Sequence, residues 1–134
     1  MKCLLVFFNA LVIVNLKIFK NMRKINEFMF AEDLDENGNG AIFPDSIEGK
    51  ELGFTSDKYS FASYLFRQDK VITISFIETI TPGSGHFSLL LDNLKKAGYS
   101  IRVPTPSNLM RVILIKKDFI GTRDNNGCEI WVER

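Results

Sequence analysis

Pro82, Gly83, Ser84 and Gly85 break an apolar, β-branched stretch, after which Phe87, Leu90, Leu91 and Leu94 recur at helical spacing. A strand that stops on two glycines and re-enters as a helix leaves backbone amides exposed. The first turn of a helix has about four N–H groups without intrahelical partners, and the macrodipole adds partial positive charge there. Gly83 and Gly85 lack Cβ, so the chain turns sharply and a ligand oxygen can come close to those amides. Such a break binds an anion without a basic side chain. It makes Gly83, Ser84, Gly85, His86, Phe87 and Ser88 candidate phosphate ligands. A plain tight turn uses the same residues, and their types alone do not choose between the two.

The kind of phosphate narrows. No G-x-x-x-x-G-K-[ST] is present, which argues against a nucleoside-triphosphate P-loop. A dinucleotide reading of Gly83, Gly85 and Ser88 lacks the third glycine and an acidic residue at a second strand end. Elsewhere, Asp33, Asp35, Asn37 and Gly38 match the first half of a calcium loop. The twelfth position should then be a bidentate Glu and is Pro44, so a surface turn is the better reading. His86 is the single histidine, which leaves no histidine-rich metal site; no metal is expected. Cys3 and Cys128 make no disulfide framework, and reduced thiols in a cytoplasmic protein are the simpler expectation.

The elements that must position the break follow from residue 59 onward. "YSFASYLFR" and "KVITISFIETI", joined at Gln68–Asp69, read as an antiparallel hairpin. In the second strand Ile72, Ile74, Phe76 and Ile80 share one face, and Val71, Thr73, Ile77 and Thr79 the other. Both faces are apolar enough for a central strand. A helix over about 84–97 follows, with Gly98 as its stop, then the strand "YSIRVP". Ser107 caps a second helix, "NLMRVILIKKD", apolar nearly all round and so expected to be well buried. "RDNNG" turns the final hairpin. The order β-β-α-β-α-β-β implies a parallel pair with a right-handed crossover between antiparallel hairpins.

Length and composition fit one domain. The chain has 134 residues, 46% of them hydrophobic and 25% charged, the profile of a globular protein. Seventeen basic against 16 acidic residues leave a net charge of +1, no footprint for nucleic acid. Residues 1–24 stand apart from the domain expected over 25–134. The apolar run Cys3–Leu16 precedes Lys17, Lys20, Arg23 and Lys24. As a helix it would reach only about 21 Å of a roughly 30 Å hydrocarbon core. Membrane contact by residues 3–16, a core element, and an extension upstream of a start at Met22 all stay open.

The succession of strand 70–80, "TPGSGHFSLLLDNL", strand 99–103, "PSNLMRVILIKKDF" and a closing hairpin resembles the GNAT N-acetyltransferase superfamily, in particular its short bacteriophage-type members. The resemblance covers about residues 59–134. It implies an α/β fold: a GNAT-like mixed β-sheet, antiparallel hairpins around a central splayed parallel pair, with flanking helices. It also implies acetyl-CoA as co-substrate and an amine as acceptor, attacked directly in a ternary complex. Pro82 then stands at the family's Gln/Arg position, Gly83–Gly85 on its pyrophosphate turn, and Leu90 and Leu91 on its paired leucines. Backbone amides over Ile77, Thr79 and Ile80 would polarise the thioester carbonyl. Glu78, the only acid on that strand, becomes the candidate general base, on the premise that it is buried. Asn108 lies beside Ser107, which takes the family's Asn position, and Leu114 stands where the general-acid tyrosine is usual. These departures keep a second expectation alive, a GNAT-fold binding protein without turnover, with another nucleotide-binding α/β domain as a third.

Overall fold

A computed structural model describes residues 34–134. Residues 1–33, and with them the readings of the N-terminal segment and of Asp33, lie outside the described residues. The chain runs β1 (Gly40–Ile42), α1 (Ile47–Glu51), β2 (Tyr64–Gln68), β3 (Val71–Phe76), α2 (His86–Lys96), β4 (Ser100–Pro104), α3 (Asn108–Lys116), β5 (Phe119–Arg123) and β6 (Glu129–Glu133). From β2 onward this is the order the sequence predicts. One six-stranded mixed sheet results, ordered β1-β2-β3-β4-β6-β5, in which β3 and β4 form the parallel pair and the other neighbours are antiparallel. β1 and α1 were not legible in a segment without periodicity. Asp35 Oδ1 accepts from the amides of Asn37 and Asn39, both at 2.9 Å, so it shapes a turn. No cluster of three or more metal-ligating side chains exists among the described residues.

Among the described residues the main core cluster lies between the sheet and α2, while Tyr64, paired with Phe76, is also buried. Ile42, Leu65, Ile72, Ile74, Ile101 and Val103 meet Phe87, Leu90, Leu91 and Leu94 of α2, with Leu114 and Phe119 closing the far side. Each fully buried apolar side chain of this size contributes about 1.5–3 kcal/mol, so the four residues of α2 fix that helix on the sheet. Its C-terminus stops on a left-handed glycine, Gly98 (φ +90°). Gly98 donates to the Lys95 carbonyl at 2.9 Å and Tyr99 to that of Leu94 at 3.1 Å, the Schellman pattern. α3 departs from expectation. Only Leu114 is fully buried, while Leu109, Val112 and Ile115 are exposed, because a helix resting on one sheet face buries one stripe whatever the composition of the rest.

β3 departs from simple alternation too. Tyr64 pairs with Phe76 but Phe66 with Thr73, so two steps along β2 match three along β3. The extra residue is a bulge, and a bulge reverses the phase of everything beyond it. Ile72 and Ile74 point into the core; past the bulge Ile77 packs against it instead, and Phe76, Glu78 and Ile80 are exposed. The single face expected for Ile72 through Ile80 is therefore split between the two sides of the sheet.

Candidate active site

β3 and β4 pair over only three positions, Val71–Ser100, Ile72–Ile101 and Thr73–Arg102. Both strands continue, but apart: β3 stays with β2 through Tyr64–Phe76, and β4 stays with β6 through Pro104–Ile130. A gap between the carboxyl ends of two parallel strands is where open α/β sheets place ligands. Beyond it lies a cavity of about 350 Å³, with the first turn of α2 on one wall and α3 on the other. Of the residues singled out from sequence, Ile77, Thr79 and the run Gly83–Ser88 line it. Ile80, Glu78 and Asn108 do not.

The amides beside the gap are sorted by the strand's own pattern. Glu78 N–H donates to Ser63 Oγ at 2.9 Å, and Ile80 N–H to the Lys58 carbonyl at 2.8 Å. Tyr59 and Thr79 are bridged, with Ser60 donating to the Glu78 carbonyl at 2.9 Å. Successive amides of a strand point to opposite sides, so those of Ile77 and Thr79 face the gap and have no acceptor among the described residues. The expectation for the Ile80 amide is corrected: it is consumed on the β2 side. Glu78 is corrected as well. Its side chain is exposed on the face opposite the cavity, so the burial on which the base reading rested is missing.

α2 begins without a cap. α1 and α3 carry serine caps, Ser46 accepting from Gly49 N–H at 3.0 Å and Ser107 from Met110 N–H at 3.3 Å. α2 starts instead from Gly85, left-handed at φ +83°, with no side-chain cap and no acid in its first turn. Pro82, Gly83, Ser84 and Gly85 are exposed, and Ser84 Oγ is turned back onto the Thr81 carbonyl at 2.6 Å. His86 Nδ1 is buried and has no hydrogen-bond partner among the described residues. Phe87 is only 5% exposed and belongs to the core, so it floors the cavity without filling it.

Sequence reasoning missed three contributors. Tyr59 Oη donates to the His86 carbonyl at 2.8 Å, tying the β2 approach to the first residue of α2. Burial pushes its phenol well above the ordinary range, so it stays a donor at every physiological pH. Lys116, exposed on the cavity rim, has no ion-pair partner among the described residues. Ile113 of α3 lines the cavity, whereas Leu114 faces the core and is 0% exposed. Asn108 is engaged by Arg111 Nη1 at 2.7 Å. Cys128 is disulfide-bonded, against the expectation of a reduced thiol, and offers no thiolate.

α3 is held to the sheet by a polar staple. Arg111 forks onto Glu129 at 3.0 and 2.6 Å, and the Trp131 indole N–H donates to the same carboxylate at 2.7 Å. The Arg111 hydrogen bonds, then that of Trp131, hold the Glu129 carboxyl below its ordinary range. A depressed folded-state value means that the staple stabilises fully above the unfolded-state value, near 4.5, and is lost as pH falls through the folded one. Glu129→Gln is therefore expected to be less stable than the parent in urea at pH 7, with the difference shrinking by pH 3. Parallel stability curves down to pH 3 would refute this assignment.

A larger groove, about 650 Å³, opens at the other end of the sheet near Ser100, Arg102 and Glu133. Lys95 pairs there with Glu133 at 3.1 Å and Arg134 with Asp118 at 3.0 Å, and none of its lining residues belongs to the first turn of a described helix. The 350 Å³ cavity is thus the better candidate. No helix among the described residues is long and apolar enough to cross a membrane. No family model, curated protein or solved structure matches the chain.

Proposed function

We propose that this chain is a GNAT-like domain that binds acetyl-CoA and passes its acetyl group to an amine by direct attack within a ternary complex. One observation carries the reading: the parallel pair parts after Thr73–Arg102, and the gap opens beside an uncapped helix start. The amides of His86, Phe87 and Ser88, at the first turn of α2, suit a pyrophosphate; charge-assisted bonds of this kind contribute about 1.5–3 kcal/mol each. Lys116 supplies from α3 the cation that Pro82 does not. The orphaned His86 Nδ1 fits a polar ligand at the same wall. Ile77, Met110 and Ile113 give the cavity the apolar lining a pantetheine arm needs.

Acetyl-CoA supplies the activated acetyl group. The protein's part is to hold donors where charge develops, and the amides of Ile77 and Thr79 face the gap for that purpose. Leu114 favours a second reading, a binding protein without turnover, since no acid stands at that position. Calorimetry with acetyl-CoA, CoA and ATP tests the first step, with binding of both CoA forms expected. Micromolar affinity for ATP alone would overturn the proposal. Release of CoA over an amine panel then separates enzyme from inactive binder.

A further inference from the structure

The bulge in β3 has a consequence on the side of the sheet away from the cavity. It turns Phe76, Glu78 and Ile80 outward on that face, where Phe76 is 39% and Ile80 55% exposed. The turn Ser60–Ser63 runs alongside, fixed by the bonds of Ser60 and Ser63 to Glu78, and carries the exposed Phe61. Glu78 thus stands among three large apolar side chains with no cationic partner among the described residues. Along the strand it also lies between Ile77 and Thr79, whose amides face the gap. A strand advances about 3.3 Å per residue, so Glu78 stands on the same short segment of backbone as the two amides that face the gap.

We propose that this outer face, Phe61, Phe76, Glu78 and Ile80, is the acceptor site, and that the acceptor is a small monoamine with an aromatic or apolar group next to its ammonium. The inference rests on the transferase reading and adds the acceptor's class to it. With the cavity side taken by the CoA arm, the gap leaves the opposite face for the second reactant. Glu78 binds the ammonium, and the exposed Phe61 and Phe76 cover the apolar group. A small dication such as putrescine would leave its second charge against Phe and Ile with no carboxylate to meet it, which selects against it. In the reaction, the ammonium gives one proton to water and the neutral nitrogen forms the C–N bond. The C–S bond breaks with its electron pair on sulfur, and the second nitrogen proton reaches the thiolate through water. The products are the amide, CoA thiol and one released proton.

The test uses the full chain and reads binding by NMR, with 2-phenylethylamine, the neutral 2-phenylethanol and putrescine as probes, while calorimetry follows acetyl-CoA separately. Phenylethylammonium is expected to shift signals of residues 60–64 and 76–80 and to bind at least tenfold more tightly than the alcohol or putrescine. Glu78→Gln should collapse the preference over the alcohol to about one, and Phe76→Ala should weaken both aromatic probes several-fold. Neither change should alter acetyl-CoA affinity. If acetyl-CoA binds but phenylethylammonium leaves these residues unshifted, or putrescine binds best, the acceptor assignment is overturned and the transferase reading stands. If phenylethylammonium binds as expected but acetyl-CoA does not bind at all, the transferase reading falls and the patch is no acceptor site.

Discussion

Gly85→Ala is expected to weaken acetyl-CoA binding by more than tenfold, whereas Gly98→Ala leaves that affinity unchanged. Both glycines are left-handed, at φ +83° and +90°, and in both a Cβ would meet nothing within 4 Å. The strain of forcing alanine into that conformation, about 1–2 kcal/mol, is therefore common to both. Only Gly85 borders the cavity, where the open space around it is the space a phosphate would use. Calorimetry beside urea denaturation of the two variants reads affinity and stability separately. Equal losses of affinity would trace the effect to strain, and no loss in Gly85→Ala would make residues 82–85 merely a turn.

Leu114→Tyr, which restores the residue the family resemblance leads one to expect, should not create or raise turnover. It should cost the fold about 2–5 kcal/mol, from overpacking and a buried hydroxyl without a partner. Leu114 is wholly enclosed in the core, with Phe119 in the same cluster, while the neighbouring Ile113 faces the cavity. Denaturant midpoints and a CoA-release assay on the variant decide the matter. A stable Leu114→Tyr protein with faster CoA release would show that the position reaches the reacting groups after all.

Local signals carried much of this fold. Periodicity and the Gly98 stop placed α2, Ser107 placed the start of α3, and the strand order from β2 on followed from the succession of patterns. What escaped depends on contacts between distant segments. The bulge in β3 exists only against the register of β2, so Glu78 read as inward from its own strand and proves outward. The same holds for the Ile80 amide, spent on Lys58, a residue well before it in the chain. Tyr59 belonged to an expected strand by composition; in the structure β2 starts only at Tyr64, and Tyr59 serves the first turn of α2. The glycine turn was visible because its requirement is local, a positive φ at Gly83 and Gly85.

The placement of β6 between β4 and β5 bears on how the chain matures on the ribosome. Synthesis delivers β5 before the strand it must pair with, so β5 emerges as an orphan and β4 shows an unguarded edge until β6 arrives. Nascent chains ending at residue 123, held to the ribosome by a linker that clears the exit tunnel, should accordingly recruit chaperones and cross-associate, and extending the chain to residue 134 on the same linker should relieve both.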